Sequence, residues 1–323
     1  MKTIATSSLK IAANAIRRGD LAAFPTETVY GLGANALDRK AVKKIFRAKG
    51  RPSDNPLIVH IHSKGQLAQV AANVTPLAKK IIDALFPGPV SVVLRKNRLI
   101  PKEVTAGLGT VCVRMPSLRL ARRFLKECGV PVAAPSANLS GRPSPTTYAH
   151  VLEDLGGRIP VVLKGPACRH GLESTVVDCT GRLPRILRSG SVPAEKIMEI
   201  AGLGIAAGGA GARAGKGGVR RARSPGMKYR HYAPNGRVAI IKSPAALPKN
   251  AKAWAYIGLS KPEKTSGCAK CLVARGKNDY ARNLFAFFRD CDRLGAKRIY
   301  CQQVSESGQG MAIMERLLKA SGK

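Results

Sequence analysis

The sequence predicts an α/β (α+β) fold in two parts: a mixed-sheet unit followed by a smaller, Rossmann-like α/β unit. Three observations predict it. Short apolar runs of strand length alternate with amphipathic helical patterns up to about Leu203. From Gly202 to Arg223 the chain is almost entirely Gly, Ala, Arg and Lys, which is linker composition. Strand and helix patterns then alternate again to the end. A chain of 323 residues is long for one core. The implied division is residues 1–203, a Gly/Arg-rich linker at 204–235, and residues 236–323.

The elements follow in order. Leu9, Ala12, Ala13 and Ile16 recur at helical spacing, and Gly19 stops that helix. Leu21 to Phe24 is an apolar run that ends in the polar loop Pro25-Thr26-Glu27-Thr28 and continues to Gly33 as part of that loop. Asp38 is placed as an N-cap, Val42, Ile45 and Phe46 form one face, and Gly50 closes the helix with Lys49 at its end and Arg51 just beyond. Leu57–Ile61, Val90–Leu94, Thr110–Met115, Val130–Ala134, Val161–Lys164, Ser174–Cys179 and Ile186–Arg188 read as strands. Many strands with fewer helices indicate a layered sheet. In the second part, Val238–Ile241, Ala253–Ile257 and Arg298–Gln302 read as strands, and Asp279–Leu294 and Met311–Ala320 as helices.

Composition narrows the function. With 45% hydrophobic and 23% charged residues the chain reads as globular. The formal charge of +36 points to polyanions such as RNA, nucleotides or ribosomes, or to a basic bias with no single partner. No acid occurs between Glu199 and Glu263. The longest uncharged apolar run, Ile200 to Ala212, falls short of the ~20 residues a membrane helix needs. Eight scattered cysteines form no small disulfide framework and suit a reducing compartment, so a cytoplasmic location is expected. Cys268 and Cys271 have CxxC spacing without a second pair, and read as two ordinary thiols with no metal site.

The strand ends carry the candidate chemistry. Arg51 and Asn55 precede one strand, Arg114 ends another, Ser136 and Asn138 follow a third, and Arg188 ends a fourth. Strand ends in layered sheets converge on one crevice. Lys49, Arg51, Arg114 and Arg188 would make a cationic pocket there, and such a cluster calls for an anion. A polyphosphate fits the planar forks of Arg and the point charge of Lys. Glu27 and Glu173 stand in polar loops, where each could orient a substrate ammonium or hydroxyl, help hold magnesium, or serve as a loop hydrogen-bond acceptor. His60 lies in an apolar strand, the usual place of a half-buried histidine. Gly31-Leu32-Gly33-Ala34-Asn35-Ala36 only mimics a dinucleotide fingerprint, and Gly211 to Lys216 only mimics a phosphate loop.

These stretches together resemble a known family. Phe24–Gly33, Lys49–His60, Thr110–Pro116, Ala133–Gly141, Glu173–Asp178, Leu187–Gly190 and Ser224–Pro234 are similar to the L-threonylcarbamoyl-AMP synthases. The likeness is to the two-domain version, with a YrdC-like N-terminal domain, and it extends more loosely over Leu284–Leu294 and Ala312–Ala320. It implies condensation of L-threonine, bicarbonate and ATP, with Mg2+ and no tightly bound cofactor. Threonylcarbamoyl-AMP and pyrophosphate would be released, the former passing to a tRNA threonylcarbamoyl transferase complex.

By the same likeness Thr28, His60, Arg114, Ala134 and Ser174 cradle threonine. Arg51, Asn55, Thr110, Ser136, Ser144, Arg188 and Tyr232 hold ATP, and Tyr229–Pro234 is a lid. Lys49 and Arg51 are the candidates for transition-state charge stabilisation, since phosphoryl chemistry rests on positioning and cations. Alanine at either position is expected to abolish pyrophosphate release with the fold intact. Direct RNA or tRNA contact is a further expected partner interaction, and the competing class is a non-catalytic RNA- or ribosome-binding protein that uses the same basic cleft. Few aromatics are available for base stacking. The carbamoyltransferase of hydrogenase maturation is set aside, because its acylphosphatase region and paired zinc-finger cysteines are missing here.

Overall fold

A computed structural model describes residues 1–203, 232–248, 252–263 and 265–322. Among the described residues the strands form two sheets. The larger has eleven strands. Its order is Ile4–Thr6, Val161–Leu163, Ala22–Phe24, Gly31–Asn35, Val132–Ala134, Ile58–His60, Thr110–Arg114, Val90–Lys96, Thr175–Asp178 and Arg185–Arg188, with Ala71–Asn73 paired to Val90–Lys96. Pairings are mixed: Ile58–His60 runs parallel to Thr110–Arg114 and antiparallel to Val132–Ala134. The smaller sheet holds four parallel strands in the order Arg237–Ile241, Arg298–Gln302, Trp254–Gly258 and Cys268–Val273. Parallel neighbours need crossovers, and the helix Lys277–Arg293 supplies the last of them. The fold is therefore the mixed α/β architecture that the sequence predicts.

The signals read along the chain have visible causes. Asp38 accepts from the amides of Lys40 and Ala41, starting the helix Arg39–Lys49, and Gly50 ends it at φ +60°. Ala41, Val42, Ile45 and Phe46 bury one face of that helix, and Lys49 is buried with them. The lysine is thereby carried into the protein instead of into solvent. The helices Pro76–Leu85, Arg119–Cys128, Tyr148–Leu155 and Ala194–Ala201 emerge only from the structure.

One sequence expectation is corrected. The loop assigned from Pro25 to Gly33 ends early, because Gly31–Asn35 is a strand antiparallel to Ala22–Phe24. The glycines are there for close approach. A Cβ on Gly33 would lie 2.8 Å from Val132 Cγ1 and 3.1 Å from the Phe24 ring. Glycine lets the Phe24 ring lie across the strand, where polar-loop composition suggested a turn.

Buried arginines join the two sheets. Phe285, Phe287 and Phe288 on the helix Lys277–Arg293 are fully buried, and each contributes about 1.5–3 kcal/mol. Beside them Arg289 makes a bidentate pair with Asp154, at 3.2 and 2.7 Å, and donates to Pro143 O at 2.6 Å. Asp154 also accepts from Arg142 at 2.7 Å and from the Leu139 amide at 3.2 Å. No helix among the described residues is long and apolar enough to cross a membrane.

Candidate active site

Strand ends and the loops that follow them enclose one cavity. Of the residues singled out in the sequence, Thr28, Lys49, Arg51, His60, Arg114, Ala134, Ser136, Ser174, Arg188 and Tyr232 line it. Asn55, Thr110 and Ser144 stand outside the lining. Of the expected lid, Tyr229–Pro234, the first half, Tyr229 to His231, lies outside the described residues. Tyr232 re-enters the described chain in the left-handed region, at φ +67°, and the next amide, Ala233 N, donates to Gly141 O at 2.9 Å. The chain thus returns along the cavity wall.

One wall is built around Arg114. Its Nη2 donates to Glu27 Oε1 at 2.7 Å and its Nη1 to Thr28 Oγ1 at 2.7 Å, with all three side chains buried. Burial by itself would raise the Glu27 carboxyl, but the charge and hydrogen bond of Arg114 bring it below its usual value. Thr26 Oγ1 donates to Val29 O at 2.6 Å and stands 2.8 Å from Thr28 Oγ1, fixing the loop. His60 Nδ1 donates to Ile58 O at 3.2 Å. Burial, and then Arg114, push His60 down to about 3, so the imidazole is neutral at physiological pH. It therefore has no cationic proton to donate there. Across the cavity Arg188 Nη2 donates to Ser174 O at 2.9 Å and to Ser174 Oγ at 3.1 Å, and Ser174 Oγ lies 2.7 Å from Ser91 Oγ.

The other wall is the Pro135–Arg142 loop. Lys49 Nζ donates to Ser136 O at 2.6 Å and to Asn138 O, and the Ser140 amide donates back to Lys49 O at 2.9 Å. Ser136 Oγ donates to Asn138 Oδ1 at 2.5 Å. Burial, helped by the nearby charge of Arg51, holds Lys49 well below the usual lysine value. Arg51 Nη2 donates to Asn55 O and Pro56 O at 3.4 and 3.3 Å. The Asn55 amide is fully buried, and neither its oxygen nor its nitrogen has a partner among the described residues. Such an orphan requires an explanation, and a bound ligand is one.

The structure commits both acids. Glu27 answers Arg114. Glu173 Oε1 accepts from Ser144 Oγ at 2.6 Å and its Oε2 from Arg316 Nε at 3.1 Å. Of the readings open for them in the sequence, acceptance of internal hydrogen bonds is the one the geometry displays. Among the described residues no three metal-ligating side chains come together. Arg142 and Glu173 also line the cavity, and Arg142 follows directly on the quoted loop. Among the lining residues five cations, Lys49, Arg51, Arg114, Arg142 and Arg188, meet one acid, Glu173. Sequence reasoning missed Arg289 and Arg316. The signal for both was an arginine inside the apolar stripe of an amphipathic helix, next to Phe285 and Phe288 in one case and Ile313 and Leu317 in the other.

A cation-lined cavity at the strand ends of a mixed sheet defines a protein that binds an anionic substrate. Residues 14–190 match the family model described as telomere recombination, and residues 192–322 match the one described as threonylcarbamoyl-AMP synthase, C-terminal domain. The threonylcarbamoyl-AMP synthase of Pyrococcus abyssi is 44% identical over 97% of this chain and 94% of its own length. That of Bacillus subtilis is 40% identical over 96% and 92%. The crystal structure of P. abyssi Sua5 complexed with L-threonine superimposes with a TM-score of 0.88 at 40% identity, covering 99% of this chain and 97% of that one. E. coli YciO, at 21% identity and a TM-score of 0.51, shares the fold over 58% of this chain. The chain belongs to the threonylcarbamoyl-AMP synthase family, enzymes of nucleotidyltransferase type. The non-catalytic RNA-binding alternative is not favoured.

Proposed function

We propose that this chain condenses L-threonine, bicarbonate and ATP to threonylcarbamoyl-AMP with release of pyrophosphate. The observation that carries the reading is the excess of cations over acids along one cavity that also presents Thr28, His60 and Ser174. The threonine amine attacks the bicarbonate carbon, an N–C bond forms as a C–O bond breaks, and a carbamate and water result. A carbamate oxygen then attacks the α-phosphorus of ATP in line, the α–β bond breaks, and pyrophosphate leaves with the electron pair. Lys49 and Arg51 would stabilise the charge gathering on the phosphates, and Arg188 would hold them. Thr28, His60, Arg114, Ala134 and Ser174 would cradle threonine. Asn55, Ser136 and Tyr232 would hold the nucleotide, Asn55 through the amide that is otherwise unpaired. Thr110 is proposed as a contact at the rim. Ser144 is proposed to act through Glu173, to which its hydroxyl is committed.

Magnesium is proposed to arrive as the ATP complex, since both acids are engaged by arginines. The product would pass to a tRNA threonylcarbamoyl transferase complex in a reducing, cytoplasmic setting. Residues 1–203 are proposed as the catalytic domain, 204–235 as linker and lid, and 236–323 as a domain that completes the site.

The test is pyrophosphate release from purified protein with ATP and magnesium, with and without L-threonine and bicarbonate. Release that requires both is the expected result. Release indifferent to threonine would overturn the reading and return RNA binding to first place.

A second expectation follows from Lys49. Its depressed value means that part of the population is deprotonated at a pH well below the ordinary 10.5. An arriving polyphosphate favours the ammonium, so ATP binding is expected to take up a proton as pH rises toward the ordinary 10.5, where the free lysine is partly neutral. Calorimetry in buffers of different ionisation enthalpy reads this directly. Binding without proton uptake would mean that Lys49 does not face the phosphates.

A further inference from the structure

The second sheet's last helix, Gly310–Ser321, reaches into the wall of the cavity. Arg316 is fully buried, and its partner Glu173, on the cavity lining, is nearly so. Arg316 Nε donates to Glu173 Oε2 at 3.1 Å, and its Nη1 donates to Ser189 O at 2.7 Å. The neighbouring Glu315 accepts from the Ser189 amide at 3.1 Å through Oε2. One helical turn therefore grips both the carbonyl and the N–H of Ser189. Ser189 follows Arg188, whose guanidinium holds Ser174, and Ser174 follows Glu173. The two segments are pressed together: a Cβ on Gly190 would fall 2.3 Å from Thr175 N and 2.5 Å from Glu173 O. Arg316 also stands 5.6 Å from the centroid of the Tyr232 ring, which stacks on Phe285 at 5.1 Å.

We propose that Arg316 is a positioning residue for the reaction: through Glu173 and Ser189 it sets Arg188, Ser174 and Tyr232 from outside the first sheet. This rests on the synthase reading of the cavity. Arg316 does not line the cavity and acts only through its neighbours. A neutral side chain there would leave the Glu173 carboxylate buried without its ion pair, and would release the Ser189 carbonyl. The Arg188–Gly190 segment would then lose its register against Ser174. Positioning errors of this size reach the chemistry, since a displacement of ~1 Å can cost about 100-fold in rate.

The experiment compares wild type, Arg316→Met, Arg316→Lys and Arg293→Ala. The last removes an exposed ion pair to Glu153 across the same junction and serves as a docking control. Kinetics of pyrophosphate release are corrected for the folded fraction. Arg316→Met is expected to lower kcat/KM by about 100-fold, with KM for ATP and L-threonine both raised. Arg316→Lys, which keeps one charged donor, recovers part of the loss, and Arg293→Ala matches wild type. Calorimetric binding of L-threonine and of a non-hydrolysable ATP analogue is measured on the same proteins. If wild type shows no turnover, the synthase reading fails, while weakened ligand binding by Arg316→Lys still supports the positioning role. Should Arg316→Met fail to fold, Arg316→Lys decides alone. Unchanged KM and unchanged ligand affinity in the folded variants, or an equal defect in Arg293→Ala, overturns the proposal.

Discussion

Arg51→Ala is expected to slow threonine-dependent pyrophosphate release by about 10²–10³-fold, roughly 3–4 kcal/mol of transition-state stabilisation, with the unfolding midpoint little changed. Arg51 sits just past the Gly50 cap, half-buried at the cavity. Its bonds to Asn55 O and Pro56 O are long, at 3.4 and 3.3 Å, and stay within its own loop. Under the proposed function, alanine there removes a charge that would face the phosphates.

Lys49 differs in this respect, which the sequence could not foresee. Its buried ammonium ties down the carbonyls of Ser136 and Asn138. Lys49→Ala is therefore expected to lose stability as well as activity, since buried carbonyls left without donors cost about 1–3 kcal/mol each. Pyrophosphate kinetics alongside urea unfolding separate the two effects. An Arg51→Ala enzyme as active as its parent would remove that residue from the chemistry.

Arg114→Ala is expected to destabilise the fold by about 3–5 kcal/mol at neutral pH, because it strands the Glu27 carboxylate in the interior. The pH dependence fixes the cause. In the parent the folded Glu27 carboxyl lies below its ordinary 4.5. The pair therefore contributes stability at pH values above the ordinary one, and that contribution is lost as pH falls through the folded value. In the variant, burial without the arginine raises the carboxyl instead. The deficit is then greatest at neutral pH and shrinks as acid protonates Glu27. Denaturation curves at a series of pH values measure it, and a deficit that does not vary with pH would show that Glu27 is not the group left unpaired. Threonine binding should be lost as well, since Thr28 takes its orientation from Arg114.

Much of the site was legible because its residues sit at chain punctuation. Asp38 and Gly50 bracket a helix that must end where Lys49 and Arg51 stand. Arg114 and Arg188 close strands, and Ser136 follows one. In this mixed sheet Arg114 and Arg188 close strands at one end and Ser136 follows a strand at the other, so the polar strand ends named much of the lining without showing that the cavity runs across the sheet between the two ends. The reading failed where side-chain chemistry and backbone role diverge. Gly31–Asn35 looks like loop by composition and is strand by contact, because Phe24 and Val132 occupy the space a side chain would need.

The sequence by itself determined the two-part α/β architecture, four of the five cations that line the cavity, and membership of the family through motifs of fixed local spacing. The tertiary structure alone decided which charges answer which. That Arg114 is matched by Glu27, that Glu173 is matched by Arg316 from 143 residues away, and that Arg289 grips Asp154 from 135 residues away are long-range facts. The physical reason is that burial makes pairing obligatory without naming the partner. A motif records what is adjacent in the chain. The desolvation that forces a buried charge to find its counter-charge acts between groups that only folding brings together.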